Sequence, residues 1–200
     1  LFDSCSLVGS IQIQNRSTVG GNLCNGSPSA DTVPGLICYS AKEVILSPRG
    51  HREVPLEEFF KGPGEHHMAQ DELLLETVVP TPPPNSSCHY LRFIPRNEMD
   101  IAVAGVATLL ALKPNTRICT QARISLASVA PTPIRATDAE RFLEGKEITE
   151  DLIIEASKLA VGSASPISDV RGSAAYRKQL IKVLTQRTIM ACTQSLGQAF

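Results

Sequence analysis

Residues 80 to 87 read PTPPPNSS, with four prolines in five positions. Proline fixes φ at about −65° and offers no backbone N–H, so this stretch is neither helix interior nor central strand. It has to run as a stiff, extended connector. The regular structure before and after it therefore forms in separate runs. On this basis the chain divides into a unit at 1–80, a linker at 81–87 and a second unit at 88–200.

The first unit carries short apolar runs broken by Gly, Pro and Asn. KEVIL, residues 42–46, reads as a β-strand. The SPRG that follows has turn residues at both ends and predicts a hairpin. DELLLETVVP predicts a further strand stopped by Pro80. In the second unit YLRFIPRN, DIAVAGVATLLALK and RICTQARISLASVA predict three strands in an antiparallel meander. The pattern then changes period. TDAERFLEG offers a capping box with Thr137 as N-cap, Glu140 three residues on, and Gly145 as a stop. Thr149 ahead of two acids predicts a second helix with Leu152, Ile153, Ala156, Leu159 and Ala160 on one face. SAAYRKQLIKVLTQRTIMACTQ predicts a third, with Tyr176, Leu180, Val183, Leu184 and Ile189 as its apolar stripe. Strands followed by helices make the second unit α+β.

At 200 residues the chain is long enough to bury roughly 70% of its unfolded surface. Its 19 basic and 20 acidic residues leave a net charge of −1, which argues against bulk binding to nucleic acid or an anionic membrane. The longest apolar run, IAVAGVATLLAL at 101–112, falls short of the about 20 residues a membrane span needs. No basic segment followed by an apolar one opens the chain, so the expectation is a cytoplasmic protein. The first residue is Leu1, which suggests a fragment or a processed product. The six cysteines lie at least 14 residues apart, without the short spacings of zinc or iron–sulfur sites, so unpaired thiols and no metal are expected. His66 and His67, near Pro63 and Gly64, read as a solvated loop.

Residues 12 to 31, QIQNRSTVGGNLCNGSPSAD, crowd together small polar side chains around Gly20 and Gly21. Bare glycine backbone lets N–H groups reach a phosphate and permits positive φ. Thr18 and Asn22 flank the pair with side-chain donors. By spacing alone an ordinary turn is the commoner meaning, since the stretch matches neither GxGxxG nor the Walker pattern.

The stretch from Val8 to Leu36 closely resembles the second half of the FAD-binding domain in the medium, flavin-carrying subunits of the xanthine dehydrogenase and carbon monoxide dehydrogenase family, which are molybdenum hydroxylases. VPLEEFFKGPG, DELLLETVVP, YLRFIPRNEMDIAVAGVA, ASVAPTPIRATDAERFL and PISDVRGSAAYRKQLIKVLTQR resemble the same subunit in the same order, across essentially the whole chain. The resemblance implies an α+β fold: the second part of a two-part FAD-binding domain of the vanillyl-alcohol-oxidase (PCMH) type, then a three-stranded antiparallel sheet beside a three-helix bundle. It also implies that the first half of the FAD domain, with its own Gly-rich loop, is lacking ahead of Leu1.

By the same resemblance Thr18, Gly20, Gly21 and Asn22 surround the FAD diphosphate, and Asp31 is the acid of the SPxxD pattern that contacts the cofactor. Leu74 matches an apolar residue packed on the isoalloxazine. Arg92 stands where many family members carry a lysine near the ring, and Asp100 lies beside the flavin. Read without the family, Leu74 is plain core, Arg92 a surface arginine, Asp31 a cap for a helix starting near Thr32, and Asp100 the end of a strand. The implied role is an electron-transfer subunit that passes electrons from 2Fe–2S clusters on a small partner subunit through FAD to an external acceptor. A large molybdopterin-binding subunit would complete a dimer of heterotrimers. The competing readings are a non-catalytic assembly module with an incomplete flavin site and, more distantly, a stand-alone flavin oxidase.

Overall fold

The computed structural model describes residues 1–96 and 99–198. Asn97, the end of the first strand expected in the second unit, and Glu98 lie outside it, as do residues 199 and 200. Four short helices come first: α1 (Phe2–Ser6), α2 (Ile11–Gln14), α3 (Val19–Cys24) and α4 (Thr32–Cys38). Strands β1 (Lys42–Ser47) and β2 (Gly50–Pro55) then form the hairpin expected at SPRG, with Ser47 opposite Gly50. Gly50 carries the turn's positive φ of 112°. A 3₁₀ turn at Leu56–Glu58 leads to the small pair β3 (Phe60–Gly62) and β4 (Glu65–His66). His66 is no solvated loop residue: its ring stacks on buried Phe59 at 5.6 Å. β5 (Leu73–Val78) returns to pair with β1, giving the sheet order β2-β1-β5.

Residues 79–83, which hold three of the four prolines, carry no regular structure. Beyond them β6 (Ser86–Phe93), β7 (Ala104–Leu112), β8 (Cys119–Ala127) and the two-residue β9 (Ile134–Arg135) make an antiparallel sheet in sequence order. The expected meander thus has a short fourth strand, and its second long strand starts at Ala104 rather than at Asp100. Helices α5 (Thr137–Leu143), α6 (Glu150–Ser163) and α7 (Ala174–Ser195) follow, α5 packing on α6 and α6 on α7.

The continuous apolar run in β7 has a simple cause. All nine of its residues are buried. Side chains alternate along a strand, so Ala104, Val106, Leu110 and Leu112 enter the core shared with α5, α6 and α7. Ala107 and Leu109 face the other way and join a cluster with Cys38 of α4 and Tyr90 of β6. A strand covered on both faces shows no polar alternation. The layers are therefore helices, sheet and α4, with the first unit's own core behind α4 around Leu23, Val33, Leu36, Ile37 and Phe59.

The helix signals divide into those that hold and one that does not. Gly145, at φ 78°, follows α5 as expected. The Thr149 hydroxyl accepts from Leu152 N–H at 3.2 Å and caps α6. Thr137, however, is the first residue of α5 and Ala136 holds the N-cap position without a side-chain bond. Glu140 does not reach back to a cap. It turns to the sheet, accepting from Ile124 N–H at 2.8 Å and pairing with Arg135 at 2.6 Å. Of the expected stripes, Ile153, Ala156, Ala160, Leu184 and Ile189 are buried, whereas Leu159 and Tyr176 are exposed. All six thiols are unpaired. Among the described residues no helix is long and apolar enough to cross a membrane.

Candidate functional site

The polar stretch expected to form an open glycine loop is helical. α3 starts right after Thr18, whose hydroxyl oxygen accepts from Gly21 N–H at 2.9 Å. Neither Gly20 nor Gly21 has a positive φ. What glycine supplies here is room. A Cβ on Gly21 would come within 3.0 Å of the Thr18 hydroxyl oxygen, and one on Gly20 would rest 3.8 Å from the Leu74 side chain. The first-turn N–H groups of a helix have no partner inside it, so those of Val19 and Gly20 are left to meet something else. Thr18 keeps its own O–H to donate. Asn22 has its carbonyl oxygen taken by the Thr32 hydroxyl at 2.6 Å, which leaves the amide NH₂ as its free donor.

Asp31 stands at the N-cap position of α4 but makes no capping bond. Its carboxylate turns instead to β6. The Tyr90 hydroxyl donates to one oxygen at 2.7 Å and an Arg92 Nη1 nitrogen pairs with the other. Arg92 and Asp31 are 6% and 8% exposed at the side chain, so both charges are taken out of water together. Burial pushes the Asp31 carboxyl up, and the Tyr90 hydrogen bond and the Arg92 charge pull it partway back. The Tyr90 hydroxyl is pushed well above its ordinary value, first by burial and then by the Asp31 charge.

Two adjoining clefts run past these groups and share Val8 and Asn22. The first, about 380 Å³, lies among α1, α2 and the start of α3 and is lined by Ser6, Gln14, Ser17, Thr18 and Thr32 beside apolar side chains, with no charged residue. The second, about 280 Å³, holds two acids, Asp31 and Asp100, with Asn25, Ser27 and Ser29. Asp100 accepts from Ile101 N–H at 2.9 Å and pairs with Arg96 at 3.2 Å. At the uncharged end Ser6, Gln14, Ser17 and Thr32 spend their donors on protein acceptors, so the Thr18 O–H and the Asn22 NH₂ are what it offers an anion, with no carboxylate opposing them. The acidic end suits a group that donates hydrogen bonds.

Of the eight residues singled out in the sequence, Thr18, Asn22, Asp31 and Asp100 line this double cleft. Gly20 and Gly21 lie on α3 behind it, facing Leu74 and the Thr18 hydroxyl. Arg92 is not at the surface: it sits behind Asp31 as its counter-ion. Leu74 lines neither cleft but packs half-buried on the first unit's core beside Gly20. Sequence reasoning missed Tyr90. A tyrosine two residues before Arg92 shares its strand face, and that period-two pairing was the available signal. Gly105 was missed too. It lies opposite Arg92 in the β6–β7 register, and a Cβ there would meet the Tyr90 hydroxyl oxygen at 2.7 Å.

Comparison with known proteins adds to this geometry. Residues 1–82 match the family described as the FAD binding domain in molybdopterin dehydrogenase. Residues 89–192 match the CO dehydrogenase flavoprotein C-terminal domain. The chain is 33% identical over 199 residues to the xanthine dehydrogenase FAD-binding subunit of Escherichia coli O157:H7, covering 98% of this chain and 67% of that subunit. It is 30% identical to the carbon monoxide dehydrogenase medium chain of Hydrogenophaga pseudoflava, covering 96% of this chain and 66% of that one. A solved structure of carbon monoxide dehydrogenase from Hydrogenophaga pseudoflava superimposes with a TM-score of 0.91 at 28% identity, over 97% of this chain and 66% of the other. Quinoline 2-oxidoreductase from Pseudomonas putida 86 gives 0.89 at 29% identity, over 99% and 67%. The chain spans about two thirds of the length of the relatives it matches.

Proposed function

From its membership of the xanthine and carbon monoxide dehydrogenase family of FAD-binding medium subunits, we propose that this chain holds FAD in the double cleft and serves as the electron-transfer subunit of a molybdenum hydroxylase. The residues fit that group. The uncharged cleft beside Thr18, Val19 and Asn22 takes the diphosphate, where the Gly20 and Gly21 backbone leaves space and the Thr18 O–H and Asn22 NH₂ donate. Hydrogen bonds to a charged group contribute about 1.5–3 kcal/mol each, so a few suffice to anchor it. Asp31 and Asp100 at the other cleft accept from hydroxyl or N–H groups of the cofactor. Burial raises the Asp31 carboxyl, and Tyr90 and Arg92 favour its ionised form against that; Leu74 backs the α3 glycines from the sheet side.

When bound, FAD supplies the electron carriage between a one-electron donor and an external acceptor. The chain's own side chains bind and orient it and set the charge around it. In the proposed complex the 2Fe–2S clusters belong to a small partner subunit and the molybdopterin to a large one, the whole forming a cytoplasmic dimer of heterotrimers. The same proposal keeps units 1–80 and 88–200 as the second part of the FAD domain and a C-terminal sheet with a three-helix bundle. The matched spans, one ending at residue 82 within the prolines and the other starting at residue 89, support that division.

The observation that carries the reading is the pairing of an acid-free cleft, where Thr18 and Asn22 keep side-chain donors, with a two-acid cleft across Asn22. Replacing Gly21 by valine puts side-chain atoms against the hydroxyl of Thr18, which lines the first cleft. The variant, purified with its partner subunits, is expected to lose its flavin absorption. A yellow product with full FAD content would remove the α3 start from the site.

A further inference from the structure

Resting on that reading, we propose that Tyr90 is a positioning residue of the cleft: together with Arg92 it holds the Asp31 carboxylate at the cleft wall, so that a strand of the second unit fixes an acceptor belonging to the first. Asp31 has given up the usual work of an aspartate at a helix start, since its side chain caps nothing. It is clamped from one side instead. The Tyr90 hydroxyl takes one oxygen at 2.7 Å and Arg92 takes the other. A carboxylate has about four lone-pair sites, so the clamp leaves acceptor capacity on Asp31, a residue that lines the second cleft. Two features fit Tyr90 to this task. It shares a strand face with Arg92, two residues on, so both reach the same carboxylate. Its hydroxyl occupies the space that a side chain at position 105 would fill, and position 105 is glycine.

The geometry predicts a signature that loss of packing does not produce. Burial raises the Asp31 carboxyl, while Tyr90 and then Arg92 lower it. Of the other charged groups, Asp100 borders the same cleft, whereas Glu57 and Arg123 lie with Ile37 and Ser40 at the far end of α4. None of these contributes to the displacement of Asp31. Removing the Tyr90 hydroxyl therefore leaves Asp31 protonating at higher pH, and a protonated Asp31 is a poorer acceptor.

The experiment compares wild type, Tyr90→Phe and Gly105→Ala, each as the full chain assembled with its partner subunits. The FAD dissociation constant is measured by flavin fluorescence across pH 4–8 (about the range over which a buried carboxyl titrates). Expected is an acid limb moved up by about one pH unit in both variants, hence about tenfold weaker binding at a pH within that limb. Profiles that superimpose on wild type overturn the proposal, whatever the variants' stability. If Tyr90→Phe fails to assemble, Gly105→Ala decides alone, since it keeps the ring and displaces the hydroxyl. A wild-type assembly without flavin at every pH would instead overturn the functional reading. The carboxyl ¹³C resonance of Asp31 then decides: a titration midpoint raised in Tyr90→Phe supports the positioning role, and an unmoved one overturns it.

Discussion

Glu43 is fully buried on β1, and the hydroxyl of Thr77 at 2.7 Å is the donor that reaches it. Its other carboxylate oxygen is buried without a partner. Burial raises its carboxyl and Thr77 lowers it less. The sign of the stability effect follows. With the folded pKa above the unfolded one, the folded state binds the proton more tightly, so Glu43 costs stability at neutral pH. That cost is relieved as pH falls through the folded value toward the unfolded one. Glu43→Gln is expected to stabilise the chain by about 1 kcal/mol at pH 7, with the advantage vanishing near pH 4. Urea midpoints at the two pH values check it, and an advantage that persists at pH 4 would contradict it. Nothing in KEVIL announces a buried acid, because burial is decided by which strand face the rest of the chain covers. The same limit applied at the cleft. Asp31 and Arg92 were each visible through a motif, but 61 residues separate the partners, and no local spacing reports that they neutralise one another.

Among the secondary-structure elements, β8 shows how a short edge is finished. β9 covers only Ser125 and Leu126. Further along the same edge, Ile124 N–H donates to Glu140 of α5 at 2.8 Å and Ala122 N–H to Glu144, just past the end of α5, at 3.2 Å. Two glutamates at helical spacing thus stand in for a strand, which leaves fewer open N–H groups on the sheet edge. The sequence made Glu140 look like half of a capping box because Thr and Glu stood three apart. Local spacing is shared by both uses, and the docked sheet edge decides between them. Strands and helices with one dry face were legible here because their period is local. The continuous run in β7 hid its register because both of its faces are covered. Glu140→Ala removes the acceptor from Ile124 and one partner from Arg135, which keeps Glu57 at 3.1 Å. Breaking a buried ion pair costs about 3–5 kcal/mol, and Glu57 holds the expected loss near about 3. Hydrogen exchange at the Ile124 amide should quicken beyond the global change in stability. An amide still protected relative to that change would show that β8 does not need the glutamate.

Across the whole molecule, α4 is the joint. Every residue from Thr32 to Cys38 is buried. Val33, Leu36 and Ile37 belong to the first unit's core, while Cys38 packs with Tyr90, Ala107 and Leu109 of the second. The Cys38 thiol reaches the backbone oxygen of Ala107 at 3.4 Å. A seven-residue helix is far too short to persist by itself, since isolated helices are marginal below about 12–15 residues. It exists because it is covered from both sides, and each side is in turn covered by it. The Asp31–Arg92 pair at its start adds a buried charge that neither unit can expose alone without leaving the other charge unpaired. The prolines at 80–84 interrupt secondary structure, which is a backbone property, but they put no break in this packing. The two units are therefore expected to unfold together. Ile37→Ala in the first core and Leu126→Ala in the second should each cost about 2–5 kcal/mol. Each should move one single urea transition, seen at the same midpoint by far-ultraviolet circular dichroism and by tyrosine fluorescence, to which Tyr39 and Tyr90 at the joint contribute alongside Tyr176. Two separated transitions, with each substitution shifting only its own, would mean that α4 melts with one unit and leaves the other standing.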